Sequence, residues 1–149
     1  MVGALVVTHG DVAKELVNAA HRIIGEHQRL EAVCIAWDED VASARRKIEE
    51  AIAKVEDGSG VLVMTDMFGG TASNLSLTLL EAGRVEVVTG VNLSMLLKLG
   101  NAACARLGLA ELAEMVCIRG RESIQIPSRA LKTRPAEGGG VPVVKEGNR

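Results

Sequence analysis

The chain has 149 residues, a formal net charge of −2 and no tyrosine, with Trp37 and Phe68 as its only large aromatics. That length forms one domain able to bury a core of its own, and the core has to be aliphatic. The charge balance, with no Lys/Arg cluster beside an aromatic platform, excludes a nucleic-acid surface. No apolar run is long enough to span a bilayer.

Met1 leads straight into an apolar run without a signal peptide's basic n-region, so a cytoplasmic protein is expected. Ala4 to Val7 reads as a buried strand that carries Thr8 and His9 to its C-terminal end, where Gly10 turns the chain. Asp11 opens a helical pattern with Val12, Leu16, Val17, Ala20, Ile23 and Ile24 on one face. Leu30 to Ala36 is strand two, ending at Trp37. Asp38-Glu39-Asp40 then offers helix-capping chemistry to a stripe of Val41, Ala44, Ile48, Ala51, Ile52 and Val55. Arg45-Arg46-Lys47 is followed by Glu49 and Glu50, which reads as a solvated helix face.

Gly60 to Thr65 is strand three, the most apolar run, ending at Asp66. The glycine-containing loop Met67 to Gly70 enters a helix expected to reach about Ala82. Val85 to Thr89 is strand four. After Gly90-Val91-Asn92-Leu93, Ser94 is placed as the N-cap of a helix through Met95, Leu96, Leu99 and Ala103. Gly108 opens a fifth helix with Leu109, Leu112, Ala113 and Val116 inward. Ser123 to Ile126 alternates like a short antiparallel edge strand before Pro127 stops it. Residues 1–126 form the domain, and 127–149 are a C-terminal extension expected to be mobile. Cys34, Cys104 and Cys117 are widely spaced and read as buried thiols in a reducing compartment.

Strands alternating with helices give an α/β fold, a doubly wound open sheet of four parallel strands. If the order is flavodoxin-like, 2-1-3-4, strands one and three meet at the switch point, where open α/β sheets bind ligands. Adjacent strands lie about 4.8 Å apart, so His9 and Asp66 would stand side by side. A carboxylate on one ring nitrogen fixes the tautomer and leaves the other nitrogen free as a nucleophile. Gly10, Gly69, Gly70 and Thr71 surround that position with backbone that can approach an anion closely. No GxxxxGK[ST] motif is present, so direct nucleotide chemistry is not expected. His21 and His27 have no ligand company at metal spacing, so neither metal nor cofactor is expected. Trp37 and Phe68 are rim packing or a protein-docking surface. Asn92 either stabilises its loop or belongs to the site.

Thr8-His9-Gly10 with Ala13, Asp66-Met67-Phe68-Gly69-Gly70-Thr71 with Asn74, and Gly90-Val91-Asn92-Leu93 with Met95-Leu96 occur in that order on three strand ends. From Val2 to about Ile126 the chain resembles the IIA domain of the mannose family of the bacterial phosphoenolpyruvate-dependent sugar phosphotransferase system. The resemblance implies that His9 accepts a phosphoryl group on Nε2 from the phosphocarrier HPr and passes it to a IIB histidine. It implies that Asp66 holds Nδ1 and that Gly69, Gly70 and Thr71 cradle the phosphoryl oxygens. It also implies a homodimer in which the Ser123–Ile126 segment crosses to the partner's sheet, with any membrane link running through transporter subunits.

Ala72 stands where many members have proline, and Asp11 brings a negative charge beside the site. Two other functions fit the same residues. One is a regulatory module that uses the phosphorylation as a signal; the other is the phosphoryl-donor subunit of a dihydroxyacetone kinase.

Overall fold

Residues 1–25 and 29–130 are described by a computed structural model. The expectations for His27 and for the tail beyond Ala130 lie outside the described residues. β1 (Gly3–His9) is buried from Gly3 through Thr8, because its side chains alternate into two separate cores. Ala4 and Val6 join one apolar cluster and Leu5 and Val7 the other. Each large aliphatic side chain so buried contributes about 1.5–3 kcal/mol relative to exposure.

β2 (Leu30–Ile35), β3 (Val61–Thr65) and β4 (Val85–Thr89) complete a four-stranded sheet of order β2-β1-β3-β4. Every pairing is parallel. The expected 2-1-3-4 architecture is therefore the observed one. Because the chain reverses direction across the sheet between β1 and β3, the crevice at their C-terminal ends is left uncovered by a crossover.

α1 (Val12–Ile24), α4 (Leu93–Leu99) and α5 (Leu109–Glu122) pack with one face of the sheet. α2 (Val41–Val55) and α3 (Thr71–Leu77) pack with the other. A four-residue helical turn, α6 (Pro127–Ala130), follows, opened by Pro127 at the first helical position, where its missing N–H costs nothing.

Several local expectations are corrected. The buried line of α1 is Ala13, Val17 and Ala20, whereas Val12 and Ile23 are exposed. Helix phase here follows the entry of the chain: the Thr8 hydroxyl accepts the Ala13 N–H at 2.7 Å and turns Ala13 toward the sheet. Asp11 occupies the N-cap position without making a side-chain cap bond. Val41, likewise counted as inward, is exposed.

α3 stops at Leu77, short of Ala82, as the Thr78 hydroxyl donates back to the Leu75 carbonyl. α4 is capped by Asn92, not Ser94: the Asn92 side chain accepts the Met95 N–H. It ends at Leu99, where Gly100 lies so close to Ile24 that a Cβ would meet it at 2.8 Å, and Cys104–Arg106 form a separate 3-10 turn.

Ser123–Ile126 is not a strand of this sheet. Ser123 is the C-cap of α5, and Ile124 and Ile126 are exposed with no ladder partner among the described residues. An isolated edge segment needs a neighbouring strand to satisfy its backbone, and this one has none among the described residues. All three cysteines are free, but only Cys104 is buried; burial pushes its thiol up, while Cys34 and Cys117 are half-buried.

Candidate functional site

β1 and β3 pair in register from Gly3↔Val61 to Val7↔Thr65, which sets the residues that follow, His9 and Asp66, at the same rim of the sheet. Asp66 Oδ2 lies 2.7 Å from His9 Nδ1 and accepts the His9 backbone N–H at 3.0 Å. Its second oxygen accepts the Met67 N–H at 2.9 Å. Burial pushes the Asp66 carboxyl up. The His9 backbone N–H, the His9 ring and the Met67 N–H outweigh that effect and hold it below the usual carboxylate range. An ionised carboxylate has only acceptors to offer, so Nδ1 carries the proton of this contact and the lone pair of a neutral ring sits on Nε2.

Gly70 closes on that outer edge of the ring. A Cβ at this position would stand 2.7 Å from His9 Cε1 and 3.4 Å from Nε2. Gly70 has an ordinary extended conformation as N-cap of α3, φ −81°, so proximity and not backbone strain demands glycine here. Gly69, exposed and at φ +83°, does need the left-handed region to bring the loop round. The first amide of α3 to find a carbonyl is that of Asn74, bonded to Gly70 O. The amides of Thr71, Ala72 and Ser73 before it are the orphan donors of a helix start, and Gly70 has no side chain with which to cap them. Thr71 is exposed at this edge, and Asn74 braces the loop by donating to Gly69 O.

Gly10, expected among the phosphoryl-binding groups, uses its N–H otherwise: it donates to Ile35 O at 2.9 Å. What Gly10 supplies is the turn, at φ +53°, that lets α1 begin directly after the histidine. Asn92 also resolves to a structural role. Besides capping α4 it donates to Gly120 O, tying α4 to the last turn of α5. The Gly90 and Val91 amides both donate to Thr65 O, anchoring their loop to the end of β3. Phe68 is 74% exposed, and Trp37, though 84% exposed, lies against the His9 ring.

Three features escaped the sequence reading: the Thr8 hydroxyl as cap of α1, the contact of Gly70 with the imidazole, and the stacking of Trp37 on it. Only the first had a signal, a threonine five residues ahead of a small inward residue. Among the described residues no group of three or more His, Cys, Asp or Glu side chains converges to hold a metal. No helix among them is long and apolar enough to cross a membrane.

The arrangement is that of a partly exposed nucleophile with a fixed tautomer, next to unpartnered backbone donors. A family model described as "PTS system fructose IIA component" matches residues 3–117. The PTS system mannose-specific EIIAB component of Escherichia coli is 28% identical over 137 residues, covering 91% of this chain but 41% of that protein. The PTS system fructose-specific EIIA component of Bacillus subtilis is 28% identical over 133 residues, 89% of this chain and 90% of that one. In fold, the crystal structure of phosphotransferase system component EIIA from Streptococcus agalactiae superposes with a TM-score of 0.77 at 23% identity, over 87% of this chain and 99% of that chain.

Proposed function

The chain belongs to the fructose and mannose family of phosphotransferase-system (PTS) IIA components, and from that premise we propose that it is a phosphohistidine carrier acting at His9. The observation that carries the reading is the 2.7 Å contact between His9 Nδ1 and Asp66 Oδ2. In the forward step the Nε2 lone pair attacks the phosphorus of a phosphohistidine on HPr. The donor's N–P bond breaks and its electron pair returns to the donor nitrogen. The His9 ring, still protonated at Nδ1, then carries positive charge opposite the Asp66 carboxylate. The second step reverses these roles, with a histidine of a IIB component as the attacking group.

Little covalent machinery is needed; positioning and charge stabilisation supply the rate. The Gly69–Gly70–Thr71 backbone, the Thr71 hydroxyl and the free amides at the start of α3 are the groups that would hold the phosphoryl oxygens. Met67, Phe68 and Trp37, all exposed around His9, give a partner protein an apolar surface to meet. The same reading makes the protein a cytoplasmic homodimer in which Ser123–Ile126 adds to the other subunit's sheet. The exposed Ile124 and Ile126 support that pairing.

The test is incubation with Enzyme I, HPr and labelled phosphoenolpyruvate, followed by mapping of the modified residue. Acid-labile label on His9, lost in His9→Ala with the fold unchanged by circular dichroism, is the expected result. Label elsewhere, or label persisting in His9→Ala, rejects it. Sedimentation at varied concentration tests the dimer.

A further inference from the structure

The chain has a single tryptophan, and it lies on the reactive ring. The Trp37 indole and the His9 imidazole stack with centroids 5.5 Å apart and planes inclined by 20°. The indole also rests against the turn after His9, where a Cβ on Gly10 would touch its Nε1 at 3.5 Å. Its outer surface is in solvent, at 84% exposure. Burial therefore does not explain why it is there.

The loop that carries it is tied down. The Ala36 N–H donates to Glu39 Oε2 at 3.1 Å and the Glu39 N–H donates to Ala36 O at 3.2 Å, closing the turn around Trp37. Lys47 and the Ser43 hydroxyl, both on α2, hold the Glu39 carboxylate in turn. Lys47 first, then the Ala36 N–H and Ser43, hold that carboxyl below its ordinary value, so the clasp is ionic at neutral pH.

The geometry points to Trp37 as a positioning residue for phosphoryl transfer at His9, an inference that rests on the carrier function proposed above. The imidazole is bonded at Nδ1 to Asp66 and abutted at Cε1 by Gly70, two contacts at its edge that leave its faces to be held by another group. The second side-chain torsion of histidine is broad when nothing restrains it. An aromatic plate on one face supplies that restraint and keeps Nε2 aimed outward. The plate also bears on the chemistry. As Nε2 gives its lone pair to phosphorus and the donor's P–N electrons leave with the donor, the ring becomes cationic, and an indole face stabilises a cation stacked on it. The neutral ring gains less, so the contact favours the product of the attack over the resting state.

The experiment compares the wild-type chain with Trp37→Leu and Trp37→Phe, using two phosphoryl donors. Phospho-HPr must dock; phosphoramidate, a small P–N donor releasing ammonia, has no docking surface. For Trp37→Leu, labelling of His9 falls about two- to fivefold with both donors, the size of an exposed cation–π contact. The loss with phospho-HPr appears in kcat more than in KM, and Trp37→Phe restores most of it. By proton NMR the His9 Cε1–H resonance, displaced by the indole ring current in the wild type, moves in Trp37→Leu.

Equal rates with phosphoramidate, alongside a raised KM for phospho-HPr, overturn the inference and leave Trp37 a docking contact. An unmoved His9 resonance overturns the stack itself. A wild-type chain that takes label from neither donor rejects the carrier function, and the positioning role with it, whereas labelled wild type with unimpaired Trp37→Leu rejects the positioning role alone.

Discussion

The two rims of the sheet use their charged groups in opposite ways. At the N-terminal rim, Asp57 faces Arg29, the terminal amine of Met1 and Ser59, and Arg84 bridges Glu56 and Glu81. The Ser59 hydroxyl first, opposed by desolvation and aided by Arg29, holds the Asp57 carboxyl well below the usual carboxylate range. Each of these charges is answered by another at the surface, and the cluster is chemically closed. At the C-terminal rim, Asp66 answers only half of His9. One ring nitrogen is bonded, the other faces outward past Gly70, and exposed apolar side chains replace the counter-charges. Reactivity follows from the pairing left incomplete, not from the density of charge.

The comparison can be broken by completing or disabling the open rim. Asp66→Asn changes the group that fixes the tautomer while keeping its volume. Phosphoryl transfer from phospho-HPr should fall on the order of 100-fold or more with the fold retained, since misaiming a reacting group costs that much; unchanged transfer would reduce Asp66 to scaffolding. Gly70→Ala is the sharper probe, because the backbone tolerates alanine and the new methyl would meet the imidazole at 2.7 Å, ahead of Met67 Cγ at 3.2 Å. We expect a loss of roughly tenfold in transfer rate beside a stability cost of about 1 kcal/mol for replacing an N-cap glycine, read by denaturant titration of the same sample.

Acid unfolding separates the rims less strongly. The folded Asp66 carboxyl is held below its ordinary value, so folding favours its charged form. Its stabilisation is complete above that value and drains away as pH falls through the lower folded one. Asp66→Asn therefore has a shallower loss of stability below about pH 4 than the wild type, measurable by chemical denaturation at stepped pH. The smallest effect belongs to the closed rim. Arg84→Ala removes two exposed ion pairs, should lower the melting midpoint slightly and should leave phosphoryl transfer unchanged.

Much of this was readable from the residues, for physical reasons that differ by element. The strands were legible because four short apolar runs alternate with helical patterns, whereas strand order stayed conditional on a flavodoxin-like arrangement among the few allowed connections. His9 and Asp66 were legible as neighbours through that order alone. The inward face of α1 was misread because Val12 and Ile23 are apolar by type, while the helix is phased by the hydroxyl of Thr8 and packs through alanines that carry little hydrophobic signal. Asn92 was legible as a choice of two roles, and its bond to Met95 N decides for the cap. The contacts of Gly70 and Trp37 with the imidazole were out of reach. They depend on loop paths at the ångström scale, set by bonds such as that from Ala36 to Glu39 between residues with no periodic pattern.

The hydroxyl of Thr8 has one more implication. It locks the strand end to the first turn of α1, with the histidine fixed between two stiff elements. Such a residue is a berth, not a swinging arm: cargo changes hands only when the visiting molecule brings its own reactive atom within bonding reach. Traffic through the protein is then limited by how well each visitor's contour fits the rim, and a lengthened tether to any other subunit would alter how often visits occur without altering the handover itself.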